Sequence, residues 1–559
     1  MPDRGRGRRR AERLTPFAYL ACTFAVVAFA LPSVLRPPPD QTTASAEFSP
    51  DAPPEEEPDA IISALQQARS GGAGADLATT TTTVPVEYRP VRGRCVGDPP
   101  RQIESVYAPP CREAFVGDNG GETHQGVTRD EIRIATIHSI TGTTGYEGCI
   151  PDGPPRPEES ANERTWRVWQ EYFNARMEFS GRKIRFCHVH GEDGQTDGDT
   201  NERIKAQKAD EVFGVFAAVH ETSPSAAFEL ARRGILTFTL AQFPGDVYVK
   251  YQPYLWNFGP DMSRLVDAGS EYLCKKLEGK PPVHADDVEF QNTPVRKFGL
   301  ISYNDAGYAS APDYMQQLLR ERCGIDLGPD VIRYDLSAGA DPTVAMSSAM
   351  AQFKQNDVTT IIYMGDLISA AVFTSAATQI AYFPEWYMPG FGGVDVDDFL
   401  ARSAYDPQQW KNAFGFSAYE IPVADPVREC EIAFRSIDPD NQPDDGMCTY
   451  IWQQLVKLVG AIQEAGPNLT PETVRDALFR LPHDPPDPVW RMAGGYGPND
   501  YTYVDWYVEL FWNPEAVHPN GDLGAYCYIR GGKRWTYGQW TEEDPPFFTD
   551  DCMTTRPAG

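Results

Sequence analysis

The sequence predicts an α/β protein of two doubly wound lobes with a cleft between them, preceded by a membrane segment and a disordered linker. Three observations carry this. The chain opens on a basic flank followed by an apolar run. From Gly126, short apolar runs alternate with helical periodicity, the pattern of a mostly parallel sheet with helices on both faces. That alternation starts afresh near Val295. At 559 residues the chain is long enough for two or more cores.

Arg4, Arg6, Arg8, Arg9, Arg10 and Arg13 outweigh Asp3 and Glu12, and Phe17 to Leu35 is uncharged and mostly apolar. Such a start is an export signal or a single span, with the rest of the chain outside the cytoplasm. Ala28-Phe29-Ala30 is a small-x-small cleavage pattern. The run nevertheless continues to Leu35, which favours an uncleaved anchor over a secreted form. Residues 36–90 hold Pro37-Pro38-Pro39, Glu55-Glu56-Glu57 and the threonine run 79–83. They bury too little to fold and read as a charged, disordered linker. A lead-in spans 91–125 and contains Cys95 and Cys111.

The formal net charge of −29 argues against nucleic-acid binding, which needs a basic stripe. Of eleven cysteines, Cys22 lies in the apolar run. Cys95, Cys111, Cys149, Cys187, Cys274, Cys323, Cys430, Cys448, Cys527 and Cys552 form an even, dispersed set without CxxC pairs. In an exported chain they read as disulfides and not as a zinc site. Connectivity stays open; neighbour pairing closes the shortest loops.

The lobes begin at the stretch Glu131–Gly145, where the apolar strand Ile132–Ile137 runs into the turn Ser139-Ile140-Thr141-Gly142. Ligands bind beyond such strand ends. Glu158 to Met177 is helical, with Trp166, Trp169 and Phe173 on one apolar stripe. Lys183–Val189 is a strand ending in Glu192-Asp193-Gly194, which makes Asp193 a site candidate. Val212–Val219 is the next strand, and helix Ser225–Arg233 follows with Thr222 or Ser223 as N-cap and Pro224 at its first position. Ile235–Leu240 is a strand and Tyr254–Arg264 a crossover. The second run has strands Lys297–Tyr303, Asp330–Tyr334 and Thr359–Met364, and helices Ala311–Cys323, Pro342–Asn356 and Ile368–Ile380. Glu385–Pro389 approaches another strand. Thr449–Glu464 and Pro471–Leu481 read as helices, and Tyr501–Trp512 and Leu523–Arg530 as antiparallel strands.

No GxSxG elbow, HExxH, P-loop or GxGxxG fingerprint occurs, so no catalytic residues, no metal and no cofactor are expected. His188 and His190 share a strand face near Glu192 and are read as packed or solvated. Tyr303, Tyr308, Phe243, Trp256, Trp386 and Phe391 supply either cleft wall or core.

In order, EIRIATIHSITG, YFNARMEFSGRKIRFCHVHGEDG, VFGVFAAVHETSPSAAFELARRGILTF, KFGLISYNDAGYASAPDYMQQLL, TTIIYMGDLISAAVFTSAA, MPGFGG and the ending GYGPND…GAYCYIRGGKRW resemble the type 1 periplasmic binding proteins. The likeness spans roughly 126–535 and is to the branched-chain amino-acid or leucine-binding group of ABC-transporter receptors. It implies two Rossmann-like lobes, a small-molecule ligand, possession of a permease partner in the membrane, and no enzyme activity. Lobe 1 would comprise 126–258 with a return segment 400–483, lobe 2 259–399 with strands 484–540, and a tail 541–559. A membrane-tethered sensor or interaction protein on the same fold is the alternative.

Carried over residue by residue, the resemblance makes Ser139 and Thr141 donors on the first wall. It puts a carboxylate-holding loop at His220, Glu221, Thr222 and Ser223, with Glu221 where a serine is usual. Gln242 and Phe243 stand in place of a small residue and a threonine, and Tyr308 keeps the lobe 2 aromatic. The acidic partner of an α-amino group falls near Gly392 and is missing, with Asp366 or Asp395 as substitutes.

Overall fold

Strand β1 (Glu131–Ile137) is central because Ile132, Ile134, Ala135 and Ile137 are all buried, the mark of a strand covered on both faces. β3 (Lys183–Val189) and β4 (Ala217–Glu221) flank it in parallel. β5 (Leu236–Thr239) and β6 (Leu255–Asn257) extend the sheet beyond β4, while β2 (Gly148–Cys149) closes the other edge antiparallel. The order is β2-β3-β1-β4-β5-β6.

A computed structural model describes residues 95, 100–137, 145–192, 198–221, 223–304, 308–335, 342–396, 398–488 and 490–556, with only the backbone of His220, Glu221 and Pro342. All of them lie in one compact unit, Pro54–Gly559. The expected anchor at 17–35 and linker at 36–90 fall outside the described residues, as do Ser139, Thr141, Asp193 and Thr222. Among the described residues no helix is long and apolar enough to cross a membrane.

The second sheet repeats the plan of the first. β7 (Phe298–Tyr303) lies between β8 (Val331–Tyr334) and β9 (Thr360–Met364), and β10 (Glu385–Met388) and β11 (Ala413–Ser417) follow, all parallel. β12 (Tyr507–Val517), β13 (Leu523–Tyr528) and β14 (Arg534–Trp535) add antiparallel strands. The parallel parts run β3-β1-β4-β5-β6 and β8-β7-β9-β10-β11, so each has its first strand second in line. β11 keeps the second sheet going past the boundary expected at 399, because Trp386–Met388 pair with Ala413–Gly415.

Two strand expectations shift. The apolar run Val212–Val219 is only partly strand: helix Gly198–Glu211 runs up to it and β4 begins at Ala217. Val212 is exposed, and the Val215 N–H turns back to the Ala209 carbonyl at 3.0 Å. Similarly, residues 501–506 precede β12 as a crossing segment. Trp166, Trp169 and Phe173 on helix Ala161–Arg176 are core: Trp169 and Phe173 pack on Trp452 of helix Trp452–Ala465, and Trp166 packs on Trp169 and Phe186. Trp256, Trp386 and Phe391 are core as well.

Three segments cross between the sheets. The first follows β6 and the second follows β11; the third joins helix Pro471–Arg480 to β12. The first and third lie side by side, with the Asn257 N–H on the Tyr501 carbonyl at 3.1 Å and the Tyr503 N–H on the Gly259 carbonyl at 3.3 Å. Arg264 ties them further, reaching Asp261 at 3.1 Å, Asp500 at 2.6 Å and Asp505. The second meets the third where the Ile421 N–H donates to the Trp490 carbonyl at 2.9 Å. Tyr107 of the lead-in pins both, donating to Glu420 and accepting from the Met492 N–H at 3.0 Å.

Disulfides join Cys95–Cys111, Cys149–Cys187, Cys274–Cys323, Cys430–Cys448 and Cys527–Cys552. The last one holds residues 541–556 to the second sheet, where Phe547 packs on Phe414.

Candidate functional site

In each parallel sheet the winding direction reverses beside the first strand, between β1 and β4 and between β7 and β9. A doubly wound sheet binds ligand in the crevice at the carboxyl ends of those strands. Six expected site residues, Ser223, Gln242, Phe243, Tyr308, Asp366 and Asp395, are described with their side chains and follow strand ends, and each has a definite place.

Ser223 caps helix Pro224–Arg232, its hydroxyl accepting the Ala226 N–H at 3.5 Å with Pro224 next in line. Asp366, after β9, is used in the same way. Its Oδ1 accepts the N–H groups of Ile368 and Ser369, both at 2.8 Å, and its Oδ2 accepts the Tyr334 hydroxyl at 2.5 Å. The start of helix Ser369–Gln379 is therefore occupied by the protein's own carboxylate, and Asp366 is not a free substitute for the missing acid. Phe243 is a correction: its ring is fully buried against Phe228, 4.8 Å between centroids, and forms core, not cleft wall. Tyr308 lies against Tyr303 at 6.1 Å.

Gln242 is the expected residue that the structure brings into a pocket. The pocket is small, with about 30 Å³ of room inside, and it opens to solvent. Leu240 and Gln242 enter it from the loop after β5, Phe258 and Gly259 from the first crossing, Tyr419 from the second and Met492 from the third. Tyr450 and Gln453 complete it from the helical layer of the first lobe. Gln242 is 5% exposed, and its Oε1 has no hydrogen-bond partner. A buried carbonyl oxygen left without a donor is costly unless something supplies one. Asn257 fixes the loop that presents it, donating to the Ala241 carbonyl at 2.8 Å and accepting the Gly259 N–H at 2.6 Å.

Buried carboxyls act on the turn that carries Tyr419. Asp395 is fully buried, and neither carboxylate oxygen has a hydrogen-bond partner of good geometry. Burial pushes its pKa up to about 6, offset in part by the Ser417 hydroxyl. Its charge and the Tyr308 hydroxyl both act on Tyr419, whose phenol is raised chiefly by burial. Glu420 is pushed up to about 7, first by burial and then by the charge of Glu429, while Tyr107 and Gln453 bond it. Arg534 lies buried under this turn, donates to the Tyr419 carbonyl at 2.6 Å and faces Glu420. Among the described residues no group of three or more His, Cys, Asp or Glu is placed to hold a metal ion.

Gly392 explains the missing acid. Its φ is +64°, and a Cβ there would come 2.1 Å from the Gly365 carbonyl oxygen. The loop after β10 packs directly on the loop after β9, leaving no room for a side chain. Gly392→Ala should cost about 2 kcal/mol through overpacking and left-handed backbone strain. A shift of the urea midpoint to lower concentration checks this, and an unchanged midpoint counts against it.

Asn257, Tyr419, Tyr450 and Gln453 were not legible as site residues. Asn257 offered a faint signal, an amide inside the apolar run Leu255–Phe258. Tyr419 follows β11, whose five residues include a central glycine and aromatics and carry no alternation.

The sequence model of the family described as periplasmic binding protein matches residues 152–501. No curated protein matches the chain. Among solved structures, it is similar to a solute binding protein of an ABC transporter from Rhodopseudomonas palustris BisB5, in complex with 3,4-dihydroxy benzoic acid. That match has 11% identity, covers 73% of this chain and 98% of that one, and has a TM-score of 0.52. A fatty acid ABC transporter substrate-binding protein from Thermomonospora curvata matches at 15% identity, with 77% and 99% covered and a TM-score of 0.51. A possible leucine/isoleucine/valine-binding protein from Rhodopirellula baltica SH 1 matches at 13% identity, with 71% and 96% covered and a TM-score of 0.50. At these identities the likeness is one of fold.

Proposed function

Since the chain belongs to the periplasmic binding protein family, matched over residues 152–501, we propose that it captures a small solute between its two lobes and presents it to an ABC permease. The observation that carries this is the pocket at the crossings, where the buried Gln242 Oε1 stands without a donor. A solute that bridges the lobes stabilises the closed arrangement in proportion to its preference for that arrangement. The five disulfides suit an oxidising compartment outside the cytoplasm. The apolar run Phe17–Leu35 would hold the chain at the membrane's outer face, with 36–90 as its tether.

The fold relatives are titled for an aromatic acid, a fatty acid and branched-chain amino acids, so the fold by itself does not select the solute. Small-angle scattering against a metabolite library tests the reading. One or more solutes should reduce the radius of gyration and raise the melting midpoint together. A radius that stays constant across the library would sink it.

A further inference from the structure

The pocket at the crossings holds one polar group that the protein itself does not use. Gln242 is 5% exposed and lines the pocket, and its Oε1 has no hydrogen-bond partner. Slack in the loop does not account for this. The residues on either side are both tied to Tyr248, whose hydroxyl donates to the Ala241 carbonyl at 3.0 Å and accepts the Phe243 N–H at 3.2 Å. The Ala241 N–H donates in turn to the Thr239 hydroxyl at 3.0 Å. The backbone that carries Gln242 is therefore fixed, while its carbonyl oxygen stays unserved.

The neighbouring polar groups are already committed. Asn257 directs its amide to the Ala241 carbonyl, the Tyr248 hydroxyl and the Gly259 N–H. The Thr449 hydroxyl donates to the Asp445 carbonyl at 3.1 Å, and Gln453 bonds Glu420. A buried amide oxygen without a donor is destabilising. The partner for Gln242 therefore comes from what enters the pocket.

The pocket wall defines that partner. None of the described lining residues carries a charge, and the Asp395 carboxyl is not among them. An ionised group that entered would lose hydration and gain no countercharge from the wall. The room inside, about 30 Å³, suits one small polar group and not a whole solute, since a single water needs about 10–15 Å³. A half turn of the last Gln242 torsion exchanges its carbonyl and amino ends. A group that both donates and accepts matches either end, whereas an ammonium only donates and a carboxylate only accepts.

We propose that the pocket receives an uncharged head group of the solute, a hydroxyl or a carboxamide that bonds the Gln242 amide, and that Gln242 selects it. The assignment rests on the solute-binding reading above and deepens it. It departs from the charged amino-acid head that the resemblance implied, with a carboxylate at 220–223 and an acid near Gly392.

The test uses the full chain, isothermal titration at pH 7 and two series that change only the head: benzamide, benzyl alcohol, benzoate and benzylamine, and the matching hexyl compounds. In at least one series the amide or the alcohol should bind about tenfold or more tighter than either ion. Gln242→Met, which keeps the length of the side chain and removes its amide, should weaken that neutral binding by about tenfold. The melting midpoint of the free variant should equal or exceed that of the wild type, which separates lost binding from lost folding. An ion that binds as tightly as its neutral counterpart overturns the uncharged assignment. Neutral binding unchanged in Gln242→Met overturns the role of Gln242. If no head binds in either series the assignment falls, while the solute-binding reading is decided separately by the scattering library.

Discussion

Arg296→Met should destabilise the protein by about 3–5 kcal/mol while leaving solute affinity unchanged. Arg296 and Glu385 form a two-pronged pair, Nε to Oε2 at 2.7 Å and Nη2 to Oε1 at 2.9 Å, with both side chains buried. Glu385 also accepts the Thr360 hydroxyl at 2.6 Å and the His284 N–H at 3.0 Å. Removing the guanidinium leaves a buried carboxylate with two neutral donors. The His284 ring cannot replace the charge near neutral pH, because burial holds its pKa down at about 4. Adding Glu385→Gln to Arg296→Met should recover much of the loss, since both charges are then gone. Urea denaturation of the single and double variants checks this. A loss under about 1 kcal/mol for Arg296→Met would show that the pair is worth no more than a surface one. Affinity is spared because the pair joins the amino ends of β7 and β10, the edge opposite the strand exits.

Asp395→Asn should act in the other direction, stabilising the free protein by about 3 kcal/mol at pH 7. The folded carboxyl has a pKa of about 6 against an ordinary 3.8, raised by burial. A raised carboxyl pKa means that between about 4 and 6 the folded state binds more protons than the unfolded one, so stability falls as pH rises through that window. The penalty is absent below the unfolded pKa and complete above the folded one. The groups facing Asp395 do not alter that sign: Ser417, Tyr419, Tyr526 and Tyr528 are all neutral there. The difference in unfolding free energy between wild type and Asp395→Asn should therefore grow from near zero at pH 4 to its plateau above pH 6. A difference independent of pH would show that the gain comes from packing and not from charge.

Stability given up for a buried acid without a countercharge is a common mark of a functional site. Gln242 was visible in the sequence as a departure from the family's recipe and Asp395 as a substitute for its missing acid; the structure places the first in the pocket lining and buries the second. Phe243 is Gln242's neighbour in the loop after β5 but packs into the core beside Phe228 and Tyr248. Asp366 looked like a free acid but bonds its own turn, accepting the Ile368 and Ser369 N–H groups ahead of the helix, a local closure that Asp readily makes. The alternation of strands and helices was readable because each strand is short and apolar. β11 and helix Gly198–Glu211 escaped for the opposite reasons: one has no periodicity and the other is largely polar. Tyr419 and Gln453 meet in the pocket only through the chain's return from one lobe to the other, a relation that lies beyond any local pattern.

The paired crossings have a mechanical meaning. Two backbone segments hydrogen-bonded side by side and clipped by Arg264 form a ribbon, and a ribbon bends about its thin axis far more easily than it shears or twists. With Tyr107 riveting the remaining crossing to the third, the lobes would be left a single soft coordinate, like the covers of a book on its spine. Opening and closing would then be described by one angle.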